Sequence, residues 1–435
     1  MSWIALKMLV GDRAKFFGIV LGLTFASLLI TQQGSIFCGL MCRTAGQVYD
    51  ITGADLWVMD ANVRHVDDVK PMIENSLYRV RGVEGVHWAV PLYKGNARAK
   101  INSWGIDPGT KRERKFEVIE QVVLLGLDDS SMVGAPPPER MIVGTLKDLR
   151  KPDAVIVDFT RLDKLYPGED WSPLNSPGLG KKIQTGVRSL SARVAGGHVS
   201  GGPEPLTCEA FYARFLGREL EMNDHRAIIV GICEATRTFQ SNAVVYTTYS
   251  RAKRFAPQER KVLSYVLART EQGKTPAEVA EAIAKQTGLK ARTSKEFIDD
   301  TIDYYLKYTG IPINFGITAM LGFLVGTAIA GQTFYNFTIE NLKQFGALKA
   351  MGATNGRIVL MILLQATVVG LLGYGLGVGL AAWFGLSTRG GELAYYTPWQ
   401  LLPITGGAVV LICILASILS VRRVVVLEPA VVFRG

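Results

Sequence analysis

Catalytic signatures are missing from this chain. It has no G-x-x-x-x-G-K-[ST] phosphate loop. The nearest approach, Gly178-Leu-Gly180-Lys181-Lys182, lacks the earlier glycine and the Ser or Thr that would reach Mg²⁺. H-E-x-x-H, C-x-x-C and G-x-S-x-G are also absent, and His65, His87, His198 and His225 are scattered without metal-ligand spacing. The expectation is a non-catalytic protein with no cofactor or metal of its own. Cysteine is scarce, at 5 in 435 residues, which excludes a disulfide-built scaffold. Cys38 and Cys42, one helical turn apart, read as packing residues; Cys208 and Cys233 either pair or stay free; Cys413 is inert. Charged residues make up only 20%, and hydrophobic residues 48%, which excludes a disordered chain.

Charge is wholly absent from four stretches: residues 16–42, 308–339, 358–388 and 393–421. Each exceeds the roughly 20 residues an apolar helix needs to cross a bilayer, so the chain is read as a membrane protein with four transmembrane helices. Aromatics at the run edges (Phe16 and Phe17, Tyr335 and Phe337, Trp383 and Phe384, Tyr395, Tyr396 and Trp399) fit interfacial belts. The first run is too long for a cleaved leader and no A-x-A site follows it, so it reads as an uncleaved signal anchor. Residues 1–15 carry Lys7, Arg13 and Lys15; 340–357 carry Lys343, Lys349 and Arg357; 422–435 carry Arg422, Arg423 and Arg434; the loop 389–392 has only Arg389. The positive-rich segments fall on one side, which places both termini in the cytoplasm and residues 43–307 outside. No ionisable residue lies within the four runs, so an ion-coupled carrier is disfavoured and the energy for any work must come from another chain.

Residues 43–307 are long enough for a sizeable core. Their charges are well mixed, with no dominant basic run, which argues against nucleic acid as a partner. Strand-like runs are Leu56–Met59, Val86–Tyr93, Val118–Gly126, Ala154–Phe159, Ala227–Ile232, Ala243–Thr247 and Val262–Ala268. Helices are expected over 70–81, over 275–286 with Thr275 as N-cap, Pro276 first and Gly288 closing, and over 294–308. The mixture implies an α+β domain. Pro136-Pro137-Pro138, Ser176-Pro177-Gly178 and Gly196–Pro205 punctuate the middle, so the region is divided into a membrane-proximal part, about 48–127 plus 226–307, and a β-rich insertion at about 128–225. The glycine-rich 195–203 is expected as a hairpin tip.

Glycine pairs four residues apart recur in the apolar runs: Gly18/Gly22, Gly322/Gly326, Gly373/Gly377 and Gly375/Gly379. Such spacing lets helix backbones approach closely, within one bundle or across a dimer. Between the second and third runs, residues 338–351 lack proline and set Leu342, Phe345 and Leu348 on one helical face. Gly352 can end this helix, and Thr354 or Asn355 can cap the next. The segment is a short helix, a tight elbow, then a span, and its apolar face either rests on lipid or docks on a cytoplasmic partner.

The run Phe345-Gly346-Ala347-Leu348-Lys349-Ala350-Met351-Gly352-Ala353-Thr354, with Glu340 before it, resembles the "G-x-L-[KR]-A-[ILM]-G-A-[ST]" stretch of MacB/FtsX-type ABC transporter permeases. Leu427-Glu428-Pro429-Ala430-Val431-Val432-Phe433-Arg434 is similar to that family's closing P-A-x-x-x-R, and so are Leu6-Lys7-Met8-Leu9 and the order of one span, a large outer domain and three spans. The likeness is greatest to DevC-type permeases, whose ATPase is a separate polypeptide. The resemblance implies that Glu340, Gln344, Phe345, Leu348, Lys349, Gly352 and Ala353 form a coupling helix on an ABC ATPase, which would bind the ATP and Mg²⁺. It further implies porter-like and sabre-like subdomains outside and a homodimer; the glycine spacing itself assigns helix packing to Gly18, Gly22, Gly322, Gly326, Gly373 and Gly377. Movement would pass from the ATPase through the second span and the helix 294–308 to the outer domain. The expected function is the permease of an ABC exporter in a bacterial inner membrane, working with a periplasmic membrane-fusion adaptor and an outer-membrane channel on a lipid-like, peptide or small-molecule substrate. The alternative is an FtsX-like mechanotransmission complex that activates a cell-wall hydrolase without transport.

Overall fold

Side chains two apart on a strand share a face, and here that alternation sorts nearly every strand into two apolar layers. In the computed structural model, which describes residues 2–106, 113–167, 169, 171, 208–257, 262–388 and 393–426, the chain forms two units: residues 43–305, and residues 1–42 with 306–435.

The first unit is built on ten strands: β1 Leu56–Met59, β2 Val86–Ile106, β3 Glu113–Leu127, β4 Met141–Val143, β5 Ala154–Asp158, β6 Glu219–Met222, β7 His225–Cys233, β8 Ala243–Thr248, β9 Tyr265–Thr270 and β10 Lys290–Thr293. They order as β10-β1-β9-β2-β3-β8-β5-β7-β4, with β6 joining β2 to β7. That last pairing (Ala99↔Met222 and Glu219↔Ile228) closes a hydrogen-bonded circuit through β2, β3, β8, β5, β7 and β6. Leu56, Val58, Val122, Leu124, Val155, Val157, Val245 and Val266 enter one core. Their neighbours Trp57, Met59, Val123, Leu125, Ile156, Tyr246, Tyr265 and Leu267 enter the other. Strands covered on both faces read as continuous apolar runs, which is why they were legible.

Helices of this unit are α3 Gly46–Asp50, α4 Asn75–Arg81, α5 Leu162–Leu165, α6 Cys208–Ala213, α7 Tyr249–Phe255, α8 Pro276–Thr287 and α9 Ser294–Tyr308, the last continuing beyond the unit's end. α8 starts with a capping box between Thr275 and Glu278, has Pro276 in its first turn, and stops at Gly288 with φ 70°. Its Val279, Ala280 and Ile283 line the first core, while Phe297 of α9 fills the second.

Three readings of this unit take a definite form, one of them an alternative the sequence left open. The helix over 70–81 begins only at Asn75, because Pro71 and the Met72–Leu263 bridge hold the preceding residues extended. The insertion at 128–225 does not stand apart among the described residues: β4, β5 and β6 pair with strands on either side of it in sequence, and β5, buried at every position, has its backbone groups paired on both edges, to β7 and β8. Cys233 is a free, fully buried thiol, so the pairing with Cys208 is not formed. The tip 195–203 and the motif 427–434 lie outside the described residues.

The second unit holds α1 Ser2–Gly11, α2 Arg13–Thr44, α10 Ile311–Glu340, α11 Leu342–Ala350, α12 Asn355–Ser387 and α13 Leu401–Val426. Four of these are long and apolar enough to cross a membrane: Arg13–Thr44, Ile311–Glu340, Asn355–Ser387 and Leu401–Arg422. The second begins at Ile311 rather than 308, and the fourth at Leu401 rather than 393. Residues 393–400 contain Pro398 and are spent otherwise. Tyr396 donates its backbone N–H to Ser35 O (3.0 Å), and Tyr395 donates its hydroxyl to Ala381 O (2.6 Å).

Glycine decides how closely these helices meet. A Cβ on Gly22 would stand 2.7 Å from Ile329 Cγ2, one on Gly322 would stand 3.0 Å from Leu29 Cβ, and Gly326 lies against Ala26. Gly373 and Gly377 lie against Leu23 and Ser27, where a Cβ would stand 2.5 and 2.6 Å from the partner Cβ atoms. α2 thus packs against α10 on one side and α12 on the other. Gly18 is looser, a Cβ there standing 3.6 Å from Thr333 Cγ2, and a Cβ on Gly375 or Gly379 would meet nothing within 4 Å.

Candidate functional site

The elbow between α10 and α12 is shaped by its sequence at each step. α10 ends at Glu340, and Asn341 Nδ2 donates back to Phe337 O (2.8 Å). α11 closes with a left-handed Gly352 at φ 91°. The N–H of Gly352 donates to Lys349 O (3.0 Å) and that of Ala353 to Leu348 O (2.9 Å). This is the pattern of a Schellman cap, and it satisfies the helix's last carbonyls. No atom crowds Gly352, so glycine is needed there for its dihedral rather than for space. Thr354, extended at φ −72° and ψ 153°, then starts α12.

Inside the elbow the apolar stripe is fully used. Phe345 is completely buried and Leu348 nearly so, packed with Ala5 of α1, Ile358, Met361 and Ile362 of α12 and Val424 of α13. Lys349 Nζ donates to Val425 O (3.0 Å), placing a cation at the carbonyl end of α13. Glu340 pairs with Lys15 of α2, which also holds Asp12 (2.6 Å). Gln365 of α12 donates to Ala5 O (2.7 Å) and ties α1 in place.

This arrangement divides the seven residues expected to touch a partner. Phe345, Leu348, Lys349, Gly352 and Ala353 fix the elbow's own geometry; Gln344 and Glu340 are exposed. The open side also carries Lys343, Ala347, Ala350 and Met351, of which Met351 is 75% exposed. Sequence reasoning passed over Ala347 and Met351. Their signal was the spacing of Gln344, Ala347 and Met351, a second stripe at intervals of three and four. Beside that stripe lies a groove of about 710 Å³ whose far wall is α1, contributing Trp3, Ile4, Lys7 and Gly11. Trp3 is 68% exposed and carries Lys7 Nζ over its ring at 4.8 Å. Apolar surface with scattered charges beside a rigid, capped helix is suited to receiving part of another protein.

In the domain 43–305 several ionisable side chains are buried, Asp158 and Asp50 most deeply among the carboxyls. Asp158 accepts from Thr160 N (3.1 Å) and Ala235 N (3.2 Å), yet burial outweighs these donors and pushes its carboxyl up to about 6. Asp50 is held by Arg140 and by the N–H of Thr236 (2.6 Å). Among the described residues no cluster of His, Cys, Asp or Glu has the makings of a metal site.

Residues 316–429 match the family of FtsX-like permease C-terminal domains. An uncharacterized ABC transporter permease of Mycobacterium tuberculosis, Rv0072, is 24% identical over 276 residues, covering 61% of this chain and 74% of that one. A second, Mb2592 of Mycobacterium bovis, is 23% identical over 248 residues, covering 56% of this chain; the match spans 65% of the relative's length. Among solved structures, the periplasmic region of MacB from Actinobacillus actinomycetemcomitans aligns at a TM-score of 0.33 and 10% identity, over 60% of this chain and 96% of that one. The extracellular domain of the noncanonic ABC-type transporter YknZ from Gram-positive bacteria aligns at 0.30 and 13%, over 55% and 98%.

Proposed function

We propose that this chain, whose residues 316–429 match FtsX-like permease C-terminal domains, is the membrane subunit of an ABC exporter of the MacB/FtsX type whose ATP is hydrolysed by a separate ATPase, seated on the elbow. The observation that carries this reading is the division of α11, with one face locked into α1, α12 and α13 and the other left open beside a groove. A lever must be stiff on the side that transmits and bare on the side that is pushed. The uncharged spans support a bundle that moves as a unit rather than one that conducts ions.

In this reading the elbow and both termini face the cytoplasm of a bacterial inner membrane, residues 43–305 face the periplasm, and two copies of the chain work with two ATPases. The outer domain meets a membrane-fusion adaptor leading to an outer-membrane channel.

The test is photo-crosslinking in the native host from residue 351, carrying a photoreactive side chain in place of Met351, with adducts identified by mass spectrometry. The expected adduct is a polypeptide with a phosphate-binding loop. Its absence from position 351, when cross-linking to other proteins succeeds, overturns the reading. Sidedness is read in the same cells with a membrane-impermeant maleimide. Exposed Cys42, near the opposite end of α2, is the internal control. Cys42 should label in intact cells, and Met351→Cys only after permeabilisation. Labelling of position 351 from outside refutes the topology.

A further inference from the structure

Within the domain 43–305 a cavity of about 460 Å³ opens beside a buried amine. That volume lies in the range of pockets for small organic molecules. Lys94 of β2 is 6% exposed, and its Nζ donates to Val66 O (2.6 Å) and Asp67 Oδ1 (2.5 Å). Its main chain is pinned as well: Lys94 N–H donates to Ser264 Oγ (2.9 Å), which donates in turn to Lys94 O (3.0 Å). Asp67 is different, with 40% of its side chain exposed. The charge an incoming molecule meets is therefore the carboxylate. An anion reaching Lys94 would have to displace Asp67 and leave it unpaired, whereas a cation adds to Asp67 while Lys94 keeps its bonds. Burial pulls the Lys94 amine below its ordinary range, which weakens the positive cover over Asp67. The remaining lining is mixed: Val69, Pro71 and Val123 are apolar, and the exposed amides of Asn96 and Gln240 supply carbonyl acceptors.

We propose that this cavity binds an amphipathic amine, its ammonium on Asp67 and its apolar part against Val69, Pro71 and Val123. The segment 63–68 that carries Asp67 is also bound to α9. Val66 N–H donates to Thr301 Oγ1 (3.2 Å), His65 stacks on Tyr304 at 4.2 Å, and the Tyr305 hydroxyl is hydrogen-bonded to Asp67. A ligand that engages Asp67 therefore acts on the last turns of α9, whose chain runs on within a few residues into α10. The site goes beyond the exporter reading and stands without it, since it uses no residue of the elbow.

The experiment takes the full chain in lipid nanodiscs and titrates phenylbutylamine, phenylbutyrate and phenylbutanol, which share one apolar part, with calorimetry and saturation-transfer NMR. The amine should bind at least tenfold more tightly than the acid or the alcohol. Asp67→Asn, which retains an acceptor for Lys94, should weaken the amine at least tenfold. Asn96→Trp, made at an exposed position on the rim, should abolish binding by blocking the cavity. Hydrogen exchange over 294–305 should slow when the amine is bound. Equal binding of the three probes, tighter binding of the acid, or unchanged amine affinity in Asn96→Trp, as expected of partition into lipid, overturns the proposal.

Discussion

The division of α11 into an anchoring and an open face can be tested without any partner. Phe345→Ala removes a fully buried ring from a cluster formed by Ala5, Ile358, Met361, Ile362 and Val424. Deleting a buried aromatic costs about 3–5 kcal/mol, the surroundings collapsing only in part. Met351→Ala, at a side chain 75% exposed, should stay within about 0.5 kcal/mol. The assay is amide hydrogen exchange over 342–362 with the full chain in nanodiscs. Exchange there reports local opening, and each 1.4 kcal/mol or so lost speeds it about tenfold. Phe345→Ala should accelerate these amides on the order of 100-fold or more, while Met351→Ala leaves them unchanged. In co-purification of the partner ATPase, Met351→Ala should weaken the association while the elbow stays closed. Protected amides in Phe345→Ala, or fast ones in Met351→Ala, would show that the anchoring face is assigned to the wrong side of the helix.

Other predictions address separate parts of the molecule. Gly352→Ala forces a left-handed dihedral on an L side chain and should cost the cap about 1–2 kcal/mol, read as faster exchange at 349–353, while Gly352→Asn should recover part of it. Gly377→Leu and Gly373→Leu collide with Ser27 and Leu23 and should prevent a stable bundle, whereas Gly375→Leu and Gly379→Leu should leave monomer folding intact; equal yields of all four in size-exclusion profiles would contradict the packing. Asp158 holds its proton up to about pH 6 in the folded state against 3.8 in the free side chain, so the folded state binds the extra proton, its contribution is greatest below about pH 4, and roughly 3 kcal/mol is lost as pH rises to 6. Asp158→Asn should flatten this slope in urea unfolding followed from pH 4 to 7, and an undiminished slope would refute the assignment.

Much of the fold was legible because local pattern and final environment agree. The strands beginning at Leu56, Ala154 and Ala243 each open on a run of four apolar residues, and every position in them is buried. α8 carries its start and stop signals in its own residues, Thr275, Pro276 and Gly288. Illegible elements were those whose partners lie far along the chain. β6 and β10 are short and partly polar, and become strands only because β2 and β7, or β1, offer an edge. The pairing of β4 and β5 with strands after residue 225 was hidden for the same reason. Proline-rich and glycine-rich turns mark where the chain reverses, yet they do not tell whether it reverses into a new domain or back into the same sheet.

The elbow shows a subtler limit. Its sequence revealed a helix, a cap and an apolar stripe, and from an isolated helix such a stripe is the natural surface to assign to a partner. The assignment depends on what else in the chain competes for that stripe, and the competitors, Ala5 and Val424, lie at opposite ends of the sequence. Once they claim Phe345 and Leu348, the motif acquires a different physical meaning. Leu348, Lys349, Gly352 and Ala353 hold the angle between two helices, and the surface left open beside them carries Gln344, Ala347 and Met351, which the proposed reading assigns to the partner. Substitutions at Ala347 and Met351 should therefore change which ATPase is accepted while the elbow keeps its protection in exchange. Substitutions at Phe345, Leu348 or Gly352 should abolish coupling to every ATPase tried. Should the two groups behave alike in a swap of partner ATPases scored by stimulated hydrolysis, the separation of lever from contact would be wrong, even with the fold unchanged.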